Sequence, residues 1–301
     1  MARFGRVATA MITPFGDDGS LALDVAADLA RWLVDHGNEG LVVAGTTGES
    51  ATLTHDEQIA LIETVVGAVD VPVVAGAGSN DTRAAVDLTE RATAAGAAGI
   101  LSVTPYYNRP SQASLLSHFR TIAASTDLPV MLYDIPGRTG RKIATDTLLE
   151  LAHDVDNIVA LKDAAGDPGE TALFLSQAPE GFEVYSGDDK LNLALLAVGA
   201  VGVVGVATHW AGIEQLQMVE AVERGDLAEA RRLNALLQES FAYETSDAAP
   251  NPIPAKTMMR ALGLPVGQGR APMDVVPGGL EATARAIIGP LAVGAELSVG
   301  I

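Results

Sequence analysis

Residues 41–78 read LVVAGTTGESATLTHDEQIALIETVVGAVDVPVVAGAG, and this stretch decides the fold. An apolar run at 41–43 gives way to a polar loop, Gly45-Thr46-Thr47-Gly48-Glu49-Ser50. Thr54-His55-Asp56-Glu57 then has the form of a capping box, with Thr54 as N-cap and Glu57 three residues on. Leu61, Ile62, Val65, Val66 and Val69 follow at the spacing of one helix face. A second apolar run begins at Val73. Strand, loop, helix and next strand make a β-α-β unit, and continuous rather than alternating apolar strands suit a parallel sheet covered on both faces.

Outward from this stretch the unit recurs. Apolar runs begin near Val7, Leu41, Val73, Ile100, Val130, Ile158, Glu183 and Gly202, at intervals of 19 to 34 residues. Segments 81–95, 111–125 and 213–224 carry a helical pattern between or after them. Eight such strands predict a (β/α)8 TIM barrel over residues 1–225. A doubly wound eight-stranded sheet is the runner-up, but it lacks a glycine-rich phosphate loop after the first strand. After Gly225 the alternation stops. Segment 226–243 reads as a helix capped by Asp226, and Pro250, Pro252 and Pro254 form a stiff break. A helix near 255–262, a Gly/Pro-rich link at 263–279 and a last helix near 281–291 complete a C-terminal helical region, 226–301.

Composition narrows the function. The 301 residues are 48% apolar and 19% charged, enough to bury a large core. Acidic residues outnumber basic ones 38 to 19, a net charge of −19 that repels phosphate backbones, so neither nucleic acid nor an anionic membrane is an expected partner. Cysteine is absent, which removes disulfides, thiolate metal sites and cysteine nucleophiles together. The apolar stretch after Arg3 and Arg6 stops at Pro14, too early for a signal peptide. The longest run without a polar side chain, 193–207, is 15 residues and glycine-interrupted, too short to span a bilayer. A soluble cytoplasmic protein is the expectation.

In a barrel, catalytic groups lie at the C-terminal ends of strands and in the loops beyond. Of four lysines (Lys142, Lys162, Lys190 and Lys256), only Lys162 ends an apolar strand, Ile158-Val159-Ala160-Leu161. Burial there disfavours the ammonium form, and a neutral amine can attack a carbonyl carbon to make a Schiff base. A lysine that reaches solvent or pairs with Asp163 is the structural alternative. Tyr133 ends the neighbouring strand, while Thr46 and Tyr107 end others and could pass a proton onward; a buried tyrosine is by itself more often a core residue with one hydrogen bond. Arg138 lies in the loop after Tyr133. The Gly-Thr-Thr-Gly loop could turn backbone N–H groups toward a small carboxylate, or be an ordinary tight turn. His36, His55, His118, His153 and His209 form no i,i+4 pair, so no metal is expected, and Asp188-Asp189 reads as a helix N-cap rather than a cation site.

These residues carry a resemblance. Gly45-Thr46-Thr47-Gly48-Glu49-Ser50, Thr104-Pro105-Tyr106-Tyr107-Asn108-Arg109-Pro110, Tyr133-Asp134-Ile135-Pro136-Gly137-Arg138-Thr139-Gly140, Leu161-Lys162-Asp163, Ser186-Gly187-Asp188-Asp189 and Pro250-Asn251-Pro252-Ile253-Pro254 occur in order. Together they resemble the 4-hydroxy-tetrahydrodipicolinate synthase (dihydrodipicolinate synthase) family, within the pyruvate-dependent class I aldolases. The resemblance implies a lyase of diaminopimelate and lysine biosynthesis that needs no cofactor. Lys162 would form the Schiff base with pyruvate, and the backbone of Thr46 and Thr47 would hold its carboxylate, with Val204 and Gly187 beside it. Tyr133, Thr46 and Tyr107 would relay protons, Tyr107 reaching in from a neighbouring subunit of a homotetramer built as a dimer of dimers. Arg138 would bind the carboxylate of L-aspartate 4-semialdehyde. An aldolase of a sugar acid (N-acetylneuraminate or 2-keto-3-deoxygluconate type) and a non-catalytic barrel binding protein are the alternatives.

The chain also departs from the family pattern. Asp134 stands where Asn is common, Gly137 where Ser is common, and Lys162-Asp163-Ala164-Ala165-Gly166 replaces Lys-Glu-Ala-Thr-Gly. The extra carboxylate of Asp134 is expected to bear on the proton affinity of Tyr133. Ser50, Ala51, His55, Asn80 and Tyr106 match the lysine-binding pocket of regulated members, whereas Gln58 and Ala84 replace the His and Glu of such pockets. Weak or absent inhibition by L-lysine is the expectation.

Overall fold

Eight short parallel strands close on themselves in chain order: β1 Val7–Ala10, β2 Gly40–Val43, β3 Val73–Gly76, β4 Gly99–Val103, β5 Val130–Asp134, β6 Ile158–Asp163, β7 Glu183–Ser186 and β8 Gly202–Gly205, with β8 pairing β1. The computed structural model describes residues 2–299. The strands sort their side chains by alternation. Ala8, Ala10, Val42, Val74, Leu101, Met131, Tyr133, Ala160, Tyr185 and Val204 fill the barrel interior. Val7, Leu41, Val43, Val73, Ile100, Val130, Leu132, Leu161, Val184 and Val203 face the helical layer. Both faces are dry, which is why the strands read as unbroken apolar runs. The barrel is thus the closed alternative, and the doubly wound sheet is excluded.

The helices follow the local chemistry of their ends. Thr54 does cap His55–Val66: its Oγ1 accepts from Glu57 N at 3.2 Å, while Glu57 Oε2 accepts from Thr54 N at 2.8 Å. Val69 lies beyond that helix, which stops three residues short of the face read from the sequence. Asp81 caps Thr82–Ala94, Ser111 caps Gln112–Ala123 and Asp226 caps Leu227–Tyr243. The helix expected at 213–224 starts earlier and spans Thr208–Glu223, with non-helical backbone at Ala211 marking a kink. The one expected at 255–262 is Ile253–Ala261. Pro254 therefore belongs to its first turn rather than to the break, since a missing N–H costs nothing there. The last helix is Leu280–Ile288, and a separate one, Ala292–Val299, follows it.

The helices after residue 225 touch the barrel at its C-terminal rim. Lys256 Nζ lies 2.6 Å from Glu49 Oε1, and Arg270 N donates to Glu49 Oε2 at 2.9 Å. Asn251 Nδ2 donates to Thr47 Oγ1 at 2.9 Å. The loop that follows β2 is therefore gripped from the far end of the chain. No helix among the described residues is long and apolar enough to cross a membrane.

Candidate active site

At the C-terminal mouth of the barrel lies a cavity of about 280 Å3, reached by Lys162, Tyr133, Thr46, Thr47, Arg138 and Gly187. Lys162 comes from the end of β6 and Tyr133 from the end of β5, where the two are register partners. The Lys162 Nζ sits 4.4 Å from the centre of the Tyr133 ring. Gly187 makes room for the lysine: a Cβ there would fall 2.8 Å from Lys162 Cγ and 3.0 Å from its Cε. Lys162 is 5% exposed. Its Nζ makes no hydrogen bond and no ion pair among the described residues, because Asp163 points to the opposite side of the sheet. Asp163 accepts there from Ala165 N at 2.9 Å and from Thr171 Oγ1. The structural alternative of a Lys162–Asp163 pair is thus set aside by strand alternation.

The environment tunes both groups. Burial pushes the Lys162 ammonium down to about 8; the negative charges of Asp189 and Glu244 oppose the shift and the positive charge of Arg138 adds to it. At neutral pH about a tenth of the amine is then free base, against well under a thousandth for an ordinary lysine. Burial raises the Tyr133 phenol, and Arg138 partly offsets this. Asp134 contributes least to that shift, since it too faces the helical layer. It accepts from Ile143 N at 3.2 Å and pairs with Lys142 at 3.5 Å, and burial pushes it up to about 6.

The loop after β2 is the candidate anion-binding element. The turn places Ala44 at φ 59° and Glu49 at φ 56°, both left-handed. Among the described residues neither the Thr46 nor the Thr47 amide meets an acceptor, and both residues line the cavity. Arg138, in the short helix Pro136–Thr139 rather than in a loop, is exposed at the rim with no acidic partner among the described residues. A short keto acid on Lys162 would thus find a neutral amine, free amides and an unpaired guanidinium.

Two predicted residues stand elsewhere. Val204 belongs to the interior layer of the barrel, and its neighbour Val206 lines the cavity instead. Tyr107 is 91% exposed, at φ 71°, and does not line this cavity. A second cavity, about 260 Å3, shares Thr46, Tyr133 and Arg138 with the first and is also walled by Ser50, Ala51 and Tyr106. Asn80 Nδ2 donates to Tyr106 O at 3.1 Å, His55 lies 3.5 Å from Asp87, and Gln58 Nε2 donates to Ser50 O at 3.0 Å. No group of three His, Asp or Glu side chains suited to a metal occurs among the described residues.

Sequence reasoning gave no role to several residues of the main cavity, among them Lys190, Val206, Glu244 and Asn251, the last quoted only within a motif. Lys190 and Val206 follow β7 and β8, so the rule that strand ends bear function could have found them. Glu244 and Asn251 come from the helical region, where that rule is silent. Asp188 caps the turn Asp189–Leu191 as expected, but Asp189 has another task. It accepts from Val206 N at 2.7 Å and Ala207 N at 3.0 Å and so pins the end of β8.

Comparison with known proteins is consistent throughout the chain. The model of the Dihydrodipicolinate synthetase family matches residues 3–288. The 4-hydroxy-tetrahydrodipicolinate synthase of Acidothermus cellulolyticus is 51% identical over 90% of this chain and 87% of its own. That of Moorella thermoacetica is 49% identical over 90% and 92%. Among solved structures, a dihydrodipicolinate synthase of Bacillus anthracis superposes with a TM-score of 0.92 at 43% identity, covering 97% of this chain and 99% of the other. One from Cyanidioschyzon merolae, solved with lysine bound, gives 0.92 at 42%, covering 96% and 98%.

Proposed function

Because the chain belongs to the dihydrodipicolinate synthetase family, it condenses pyruvate with L-aspartate 4-semialdehyde to 4-hydroxy-tetrahydrodipicolinate, and we propose that it does so through a Schiff base on Lys162. This is a lyase reaction of the route to diaminopimelate and lysine. One observation carries the Schiff-base reading: a buried Lys162 amine with no hydrogen-bond or ion-pair partner among the described residues opens on the same cavity as Arg138.

The steps follow from the geometry. The neutral Lys162 amine adds to the keto carbon of pyruvate, and loss of water leaves the imine. The imine draws electrons from the adjacent methyl carbon, which gives up a proton and becomes an enamine. The amides of Thr46 and Thr47 hold the pyruvate carboxylate, and the phenol of Tyr133, beside the amine, carries protons with Thr46. Arg138 grips the carboxylate of the semialdehyde with its planar fork and aims the aldehyde at the enamine carbon. After the carbon-carbon bond forms, the substrate's own amine displaces Lys162 and closes the ring.

We read the enzyme as a cytoplasmic homotetramer. The exposed Tyr107 supports the assembly, since a phenol 91% exposed at the barrel mouth is placed to serve a neighbouring copy. The lack of cysteine suits a reducing compartment. Borohydride reduction in the presence of pyruvate tests the central step: an adduct on Lys162, lost in Lys162→Ala, is the expected result. An unmodified wild-type protein would overturn it.

A further inference from the structure

Arg138 has no ion-pair partner among the described residues, so the direction of its fork is set by the backbone that carries it. That backbone, segment 134–143, leaves the end of β5, turns through the short helix Pro136–Thr139 and comes back to where it began. One side chain closes the return. Asp134 Oδ1 accepts from Ile143 N at 3.2 Å, and its Oδ2 lies 3.5 Å from Lys142 Nζ. Lys142 Nζ also lies 3.2 Å from Glu170 Oε2 and donates to Ile143 O at 3.3 Å. Glu170 sits on the helix Pro168–Leu175 and accepts from Thr145 Oγ1 at 2.7 Å. The preceding loop and helix hold the same limb: Arg109 Nε donates to Gly140 O at 2.8 Å, and Gln112 Nε2 donates to Lys142 O at 2.9 Å. The reaction steps above give Asp134 and Lys142 no task.

Burial makes the pairing matter. Asp134 is 3% exposed, and it stands beside Asp163, its register partner on β6. Two acids abreast on one face of a sheet repel each other. The space behind these strands is lined by the charged groups Asp134, Lys142, Asp163, Asp167 and Glu170, of which Lys142 alone is a cation. Asp163 is already served by Ala165 N and Thr171 Oγ1, so the Lys142 ammonium goes to Asp134 and Glu170. Neither Asp134 nor Lys142 lines the Lys162 cavity, whereas Arg138, carried between them, does.

We propose that the Asp134–Lys142 pair is a latch on the Arg138 segment, tying its return to its start and, through Glu170, to the helical layer, so that the guanidinium stands where the semialdehyde carboxylate arrives. Both are positioning residues that act on the second substrate and leave the imine alone. The proposal rests on the reading of Arg138 as the carboxylate anchor.

The test compares Asp134→Asn with the wild type. Asparagine keeps an oxygen for Ile143 N but has no charge for Lys142. At about pH 8 its KM for the semialdehyde should rise by roughly 3- to 10-fold while kcat and the borohydride-trapped pyruvate adduct stay at wild-type values, a split that a loosened fold would not give. Burial pushes Asp134 up to about 6 against the pull of Lys142, so the latch is charged above that pH and loses its charge below it. The wild-type KM should therefore climb toward that of Asp134→Asn as pH falls through about 6, whereas the KM of the variant should stay flat. Lys142→Met removes the pair from its half-exposed end and should raise KM in the same way, which keeps the test decisive should Asp134→Asn not fold. A KM equal to wild type in either variant, or loss of adduct in step with turnover, would overturn the latch. Unchanged turnover of the semialdehyde by Arg138→Ala would instead overturn the reading of Arg138.

Discussion

Lys256 Nζ lies 2.6 Å from Oε1 of Glu49, and both side chains are shut off from water, 1% and 2% exposed. The ammonium also donates to Gln268 O at 2.9 Å and stands 4.1 Å over the ring of Phe15. Glu49 closes the loop that bears Thr46 and Thr47. Breaking such a pair from one side leaves an uncompensated buried charge, at a cost of about 3–5 kcal/mol. Lys256→Met should therefore lower the melting temperature and raise KM for pyruvate, while the double variant Lys256→Met/Glu49→Leu should regain much of the stability. A double variant no more stable than the single one would show that the charge was not at fault.

The second prediction concerns Lys162. Its ammonium is lowered to about 8, so the rate of imine formation should climb with pH through a midpoint near that value and level off above it. Lys162→Arg keeps the charge but offers no free amine, and no adduct should form at any pH. A rate that still rises past pH 10 would point to an ordinary solvated lysine.

Arg138 should divide the two substrates. Arg138→Ala should leave the pyruvate adduct in place and cut kcat/KM for the semialdehyde by roughly 10- to 100-fold, the worth of one lost charge-assisted contact. Equal loss of both steps would remove Arg138 from its assigned task.

Acid should weaken the fold through His209. Its Nδ1–H donates to Val206 O at 2.8 Å and its Nε2 accepts from Ile12 N at 3.1 Å, so the ring is held neutral. Burial lowers it from 6.5 to about 4. Between those values the unfolded chain takes up a proton that the folded chain refuses. Stability is thus fully present above about pH 6.5 and lost as pH falls toward 4, by up to roughly 3 kcal/mol. His118, also lowered to about 4 by burial, adds in the same sense, whereas Asp134, raised to about 6, opposes it. Urea titrations across this range should show a shallower pH slope for His209→Gln than for the wild type; parallel slopes would rule out the assignment.

Inhibition by L-lysine should be weak. Gln58 is committed to Ser50 O, and Ala84 offers no carboxylate to a second ammonium group, although Ser50, Ala51 and Tyr106 wall a suitable cavity. A dose-response with half-inhibition at low lysine concentration would refute this.

The strands were legible because each is buried on two sides, so a run such as Val130–Asp134 carries no ambiguous polar positions until its functional end. Lys162 was legible for the same reason, as one charge terminating an apolar run. Lys256 was not. In sequence it is a cation among prolines, and only folding brings Glu49 to it from the other end of the chain. Glu244 sits after an amphipathic helix where a solvated acid is the ordinary case, and only folding buries it in the wall of the Lys162 cavity. Asp134 does raise the Tyr133 phenol, but least among the named charges, because adjacency in a strand puts Tyr133 and Asp134 on opposite faces.

The hydrogen bond from Asn251 to Thr47 means that the catalytic pocket is stitched together by residues made early and late in translation. A ribosome that has finished the eighth strand has produced all eight strands of the barrel and Lys162, yet the pocket still lacks one wall. Chemistry therefore begins only when residue 251 has emerged and docked, and nascent chains cut short before it should bury their strands while remaining silent toward both substrates.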